Sequence, residues 1–314
     1  MNRRRQLLVA FLLAPLAARA QQRIVRIGFL GRTTRLAAFR EGMRGLGYVE
    51  GKNLVIEQRW DNSYERLAPL AEELVRAKVD VIVTSGSPGS IAAQKATRTI
   101  PIVIAVAGDL LATGLVTNLA KPGGNTTGLS FFAPQVEAKL LEITREALPR
   151  AKRIAGLFNP ANPIAPALLK SMSTTAERLG LSFQPYEVRL PSELAPALDT
   201  IAARRSDAVV STADGVLIES GKLLADLALK RRLPCFGPLE TAEAGAFMAY
   251  GVDIADLMRR SALFVDKIVK GANPGDLPID QATRFQLIIN LKTARALGIP
   301  LTRDMLSRAD RVIE

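Results

Sequence analysis

Lys121-Pro-Gly-Gly-Asn-Thr-Thr-Gly128 is the stretch that decides how the chain is divided. Two glycines behind a proline cannot occupy a helix interior, and Asn125-Thr126-Thr127 favour turn or extended backbone. The same grammar runs on both sides: a short apolar strand, a small polar loop, then an amphipathic segment of helix length. The stretch is therefore expected to be a crossover between two similar α/β lobes, with a small molecule bound in the cleft between them. A loop inside one large domain is the other arrangement that 314 residues allow.

The totals narrow the function. Hydrophobic residues make up 48% of the chain, so each lobe can bury its own core. Aromatic residues are only 5%, with Trp60 the sole tryptophan, which argues against a base-stacking or sugar-stacking surface. The net charge of +12 invites a nucleic-acid reading, but four of those charges, Arg3, Arg4, Arg5 and Arg19, lie in the first twenty residues. Most other basic residues alternate with acids, as in Glu41/Arg44 and Glu142/Arg145, the pattern of a solvated helix face. No nucleic-acid partner is expected. Cys235 is the one cysteine and reads as a small core residue in Leu233-Pro-Cys-Phe236. There is no histidine, which removes Ser-His-Asp and Cys-His catalysis and nearly every zinc site.

Residues 1–20 have the three parts of a secretory signal: Arg3–Arg5 at the positive end, Leu7–Leu16 as apolar core, and Ala18-Arg19-Ala20 as cleavage site. The core, about ten residues, is too short to span a bilayer. Arg4-Arg5-Gln6-Leu7-Leu8 also has the look of a twin-arginine signal. Export to the periplasm is the expectation, with a mature chain beginning near Gln21.

Ile24–Leu30, Leu54–Arg59, Asp80–Thr84 and Pro101–Ala105 read as the strands of the first lobe, with helices between them marked by apolar residues at helical spacing. The exit of the third strand, Ser85-Gly86-Ser87-Pro88-Gly89-Ser90, opens directly onto a helix. Ser87 is expected either to cap that helix or to join its free N–H groups in holding a carboxylate or phosphate. Asp109 follows the fourth strand and can accept from a ligand or cap the segment Leu110–Leu115. In the second lobe Arg153–Phe158 ends in Asn159-Pro-Ala-Asn162, expected to turn amides toward the cleft, and Ala208–Ser211 ends in Thr212-Ala-Asp214-Gly215. A parallel sheet gathers such loops on one rim. Phe247–Gly251 and Phe285–Asn290 read as strands that return between the lobes, and Ile254–Lys270 as a long amphipathic helix. The first lobe is expected to comprise 21–125 plus 251–287, and the second 126–250 plus 288–314.

These blocks resemble a known family, the substrate-binding proteins of ABC transporters that include tryptophan- and tyrosine-binding members. The resemblance lies in Gly47-Tyr-Val-Glu-Gly-Lys-Asn53, Val79-Asp-Val-Ile82, Ala92–Thr97 with Ile100–Val103, Gly114-Leu-Val116 and Lys121–Asn125. It continues in Asp266–Gly271, Ile289–Ala294 and Arg308–Glu314, so it covers almost the whole chain after the leader. It implies two Rossmann-like lobes with parallel sheets and a hinged interlobe cleft, the type I periplasmic binding fold. It also implies no cofactor, a monomer, and delivery of a small solute to ABC permease membrane subunits. The family's binding loops fall here on Thr33, Thr34 and Arg35, on Ser85, Gly86 and Ser87, on Asp109, Asn159 and Asp214, and around Tyr250. The chain departs from the family where an Asp-Pro-Val is expected and Asp109-Leu110-Leu111 stands, and where the loop after the first strand is shortened.

An exported enzyme and a repressor-type sensor domain are the rivals, because this fold serves all three roles. No nucleophile–base spacing stands out, and Gly28-Phe-Leu-Gly31 lacks the third glycine of a dinucleotide loop. A repressor needs a DNA-binding headpiece where this chain carries an export signal.

Overall fold

The computed structural model describes residues 23–31, 33–61 and 63–314, so the expected leader lies outside the described residues. Of Thr33 and Thr34 only the backbone is described. The chain opens with β1 (Val25–Leu30), α1 (Thr33–Gly45), β2 (Leu54–Arg59), α2 (Leu67–Arg76), β3 (Val81–Ser85), α3 (Ser87–Ala96), β4 (Ile102–Val106) and β5 (Thr126–Ser130). There follow α4 (Ala133–Ala147), β6 (Arg153–Phe158), α5 (Ala165–Arg178), β7 (Ser182–Glu187), α6 (Leu194–Ala203) and β8 (Ala208–Ser211). Next come α7 (Gly215–Glu219), α8 (Gly221–Lys230), β9 (Cys235–Gly237), α9 (Leu239–Glu243) and β10 (Met248–Gly251). The chain then returns through α10 (Ile254–Val269) and β11 (Asp280–Gln281), and ends in β12 (Gln286–Asn290), α11 (Leu291–Leu297), α12 (Arg303–Arg308) and β13 (Arg311–Ile313).

Among the described residues these strands form two sheets, β11-β5-β4-β3-β1-β2 and β13-β12-β10-β9-β8-β6-β7. The first is parallel throughout, as expected. The second is parallel except where β12 runs against β10, which follows from its arriving from the other lobe. In each sheet the order reverses beside the first strand of its lobe, at β1/β3 and at β6/β8. Crevices at such reversals, beyond the strands' carboxyl ends, are where open α/β sheets take ligands.

Both faces of both sheets are covered, so the strands read as nearly continuous apolar runs. Val25, Ile27 and Phe29 of β1 pack toward α1 and α10, while Ile82, Ile102 and Ile104 pack toward Leu67 and Leu74 of α2 and Ala93 of α3. Each fully buried Leu, Ile or Phe contributes about 1.5–3 kcal/mol. Although α10 follows the second lobe in sequence, Leu257, Met258 and Val265 belong to the core of the first.

The crossover expected at Lys121–Gly128 is displaced. Thr126–Ser130 is β5, paired with β4 through Ile102↔Thr126 and Ile104↔Gly128, so the chain leaves the first sheet only after Ser130. Lys121–Asn125 is the turn that feeds this strand. Threonine pairs suit a buried strand, and Gly128, at φ +138°, lies where a Cβ would come 2.0 Å from the Ile104 carbonyl oxygen. The glycine thus serves close strand contact, not a break. The last crossing shifts too: Ala282 N–H still bonds Ser130 O, and β12 from Gln286 onward already belongs to the second sheet. Among the described residues the lobes are joined at 131–132, 252–253 and 283–285.

Candidate functional site

The carboxyl ends of β1 and β3 face those of β6 and β8 across a cavity between the lobes, lined from the first by Arg35, Trp60, Tyr64 and Ser85–Gly89. Asn162, Ile164, Ala213, Gly215 and Ile218 line it from the second lobe, and Phe131, Ala133 and Ile254 from the joining segments and the helices that follow. The space open to the centre of a water-sized sphere is about 40 Å³. That holds a few waters, so a larger guest enters only when the lobes part.

The start of α3 supplies donors. Gly86 is its N-cap at φ +90° and ψ 152°, a conformation that side chains rarely adopt, and Ser87 and Pro88 open the helix itself. Ser87 therefore does not cap, contrary to one of the two expectations for it. Its hydroxyl has no hydrogen-bond partner among the described residues, although Ser87 is buried and lines the cavity. The N–H groups of Ser87 and Gly89, in the first turn, have no acceptor four residues back within the helix. Ser90 fixes the turn from behind, its Oγ donating to Gly86 O at 3.0 Å and meeting Thr84 Oγ1 at 2.7 Å.

Arg35 stands beside this helix start. Its Nη1 donates to Ser85 Oγ at 2.7 Å, and its Nε lies 3.7 Å from a carboxylate oxygen of Glu219 in the second lobe. Its Nη2 is buried with no hydrogen-bond partner. A buried guanidinium donor without a partner is costly. Guanidinium donors and free helix N–H groups both suit an anion chemically.

Asp214 takes the opposite part. It is buried, caps α7 with Oδ1 accepting from the N–H groups of Val216 and Leu217, and accepts through Oδ2 from Asn162 Nδ2 at 2.9 Å. The same Oδ2 accepts from Tyr64 Oη at 2.8 Å, across the cleft. Burial raises the Asp214 carboxyl above its ordinary range, while Asn162, Tyr64 and the two backbone donors pull it back. Burial, then the charge of Asp214, push the Tyr64 phenol well above 10.

Ser85, Gly86 and Ser87 thus line the cavity, and Asp214 lies beneath its wall. Asp109 does not line it; its Oδ1 accepts from the N–H groups of Leu111 and Ala112, the capping alternative. Asn159 shapes its own loop by accepting from Ala161 N–H, and it is Asn162 that reaches the cavity. Tyr250 sits at the hinge, stacked on Phe285 with ring centroids 6.1 Å apart. The side chains of Thr33 and Thr34 lie outside what is described, and α1 already begins at Thr33, where a loop through Arg35 was expected. That early start places Arg35 on the first turn, facing the cavity. Trp60 and Tyr64 are absent from the site residues expected by sequence, whereas Arg35 and Asn162 lie in loops expected to face the cleft. An aromatic residue in a polar stretch after β2 carries no local signal.

Glu137 of α4 is also buried. Its Oε1 accepts from Ala213 N–H at 2.7 Å, and its Oε2 has no partner. Burial pushes its carboxyl up to about 8, so it props the 212–215 loop as a neutral acid at neutral pH. Among the described residues no group of His, Cys, Asp and Glu is disposed to hold a metal ion, and no helix is long and apolar enough to cross a membrane.

Comparison with known proteins agrees with this geometry. A tyrosine-binding protein of Clostridioides difficile (strain R20291) is 26% identical over 263 residues, 83% of this chain and 75% of that one. A conserved domain protein of Vibrio cholerae superposes with a TM-score of 0.85 at 28% identity, over 93% of this chain and 99% of the other. The ABC domain of Streptococcus pneumonia in complex with L-Trp superposes at 0.84 with 23% identity, over 92% and 100%, and shares the type I periplasmic binding fold. A family model described as ABC transporter substrate binding protein matches residues 28–313. With that match running from the first strand to the last, the chain belongs to the ABC transporter substrate binding protein family.

Proposed function

We propose that this chain is the exported solute-binding component of an ABC importer, a monomer that captures a small carboxylate-bearing solute in the interlobe cleft and hands it to membrane permease subunits. The observation that carries the solute class is the buried, partnerless Nη2 of Arg35, a residue that lines the same cavity as Ser87 and Gly89 at the start of α3. A carboxylate placed there accepts from the guanidinium and the helix start together, and Ser87 Oγ adds a third donor. The tyrosine-binding relative and the L-Trp complex are of matching chemistry, since both solutes carry a carboxylate. The lobes then work as a two-state clamp, the ligand preferring the closed form in which it touches both. Export rests on the leader over 1–20. Capture rather than catalysis fits a chain without histidine, whose cavity wall offers Ser85 no general base.

A thermal-shift screen of residues 21–314 tests the reading, with amino acids, aromatic acids, nucleosides, small sulfonates and short dicarboxylates at millimolar concentration. A ligand that binds only the folded state raises the midpoint by mass action. At least one carboxylate is expected to do so. A flat screen on a well-folded protein overturns the proposal.

A further inference from the structure

We propose that the cleft selects carboxylic acids without an α-amino group: apolar or aromatic monocarboxylates bind in preference to the amino acids of the same side chain. The inference rests on the solute-binding reading and narrows its solute. An amino acid brings two charges into a closed cleft, and each needs a partner there. The carboxylate has one in Arg35 and the start of α3. The ammonium has none, because no Asp or Glu lines the cavity. Nor does either residue occur among positions 1–22, 32–34 and 62.

Of the acids nearby, Glu137 and Glu240 each keep a buried oxygen without a partner but do not line the cavity, and the others are engaged. Asp214 receives four donors, two on each oxygen, which fills the lone-pair sites of a carboxylate. Three of those donors, Asn162 and the N–H groups of Val216 and Leu217, come from its own lobe and stay when the lobes part. Glu219 meets Arg35 through Nε and does not belong to the cavity wall. Asp109 caps its own turn. What remains around the cavity is apolar: Leu67, Phe131, Ile164, Ile218 and Ile254, with the Trp60 ring. Such a wall suits an aryl or branched alkyl body. Among the described residues one cation, Arg35, lines the cavity, which suits a monocarboxylate.

Titration calorimetry on matched pairs tests this: 3-phenylpropanoate against L-phenylalanine, 3-(4-hydroxyphenyl)propanoate against L-tyrosine, and indole-3-propanoate against L-tryptophan. At least one acid is expected to bind roughly tenfold or more tightly than its amino acid, the cost of an unpaired buried ammonium. Amino acids that bind as tightly as their acids, or tighter, overturn the inference and leave the solute-binding reading intact. If neither member of any pair binds, this solute class is wrong, and the broad screen alone decides whether the chain binds solute at all. Arg35→Gln is expected to abolish acid binding and Arg35→Lys to retain part of it, with both variants melting cooperatively. Wild-type affinity for the acid in Arg35→Gln removes Arg35 from the site.

Discussion

Tyr64 and Asp214 belong to different lobes, yet the tyrosine hydroxyl donates to the aspartate at 2.8 Å, closing the cleft over the cavity. The bond joins the stretch after β2 to the loop after β8, and both of these residues sit on the loops that separate when the lobes open. The contact is therefore made only in the closed form. Tyr64→Phe keeps the ring and removes the donor, which lowers the closed form's advantage by about 1.5–3 kcal/mol for a bond to a charged acceptor. Small-angle scattering should show a larger radius of gyration for the unliganded variant, and solute affinity should fall by roughly ten- to hundredfold. Unchanged scattering and affinity would remove the bond from the closure equilibrium.

Gly86 gives the helix-start site its geometry through backbone alone. A Cβ at this position meets nothing nearer than Pro88 Cδ at 3.7 Å, so sterics with neighbours are not the issue. The cost of Gly86→Ala lies in φ +90° with ψ 152°, a region essentially reserved to glycine, about 1–3 kcal/mol. Chemical denaturation should register that loss. Because the turn would rotate to escape the strain, affinity for a carboxylate should drop as well. A variant as stable as the wild type would show that the turn relaxes at no cost.

The two lobes and most of their strands are legible in the sequence because buried parallel strands are short apolar runs and their helices repeat at 3.6 residues. The loops Ser85–Ser87 and Thr212–Gly215 are legible for the same reason, since they follow strand ends. β5 is not, because Thr126-Thr127-Gly128 has the composition of a turn, and only pairing with β4 makes it a strand. The site's cross-lobe members are hidden for a different reason. Tyr64 and Asp214 are 150 residues apart, and nothing local in either stretch announces the other. Arg35 is legible as part of the stretch after β1, but its place on the first turn of α1 is not.

Arg205, just past α6, is exposed and held at φ +55°, in the left-handed region. Its N–H bonds Ala202 O at 2.9 Å, and its side chain makes no hydrogen bond or ion pair among the described residues. Arg205→Gly removes the Cβ clash of that conformation at the position where helices ordinarily place glycine. The folded state should gain about 0.5–1 kcal/mol, after the extra freedom glycine gives the unfolded chain. Urea denaturation reads this as a higher midpoint at unchanged slope. A lower midpoint would mean the arginine side chain stabilises the turn by more than its backbone costs.

Glu137 makes stability fall as pH rises. Its carboxyl is raised from an ordinary 4.5 to about 8 by burial, partly offset by the bond from Ala213 N–H. Below the lower value both folded and unfolded chains hold the proton, and the residue is indifferent to pH. Between the two values the folded chain keeps a proton that the unfolded chain has released, so each pH unit favours unfolding by up to about 1.4 kcal/mol. Above about 8 both states are ionised and the full loss is reached. Glu137→Gln retains an oxygen for Ala213 and abolishes the titration. The variant's melting temperature relative to wild type should therefore climb steadily between about pH 5 and pH 8, then level off. A difference that stays constant over that range would show that Glu137 ionises in the folded protein as it does in water, with the 212–215 loop opening to let solvent reach it.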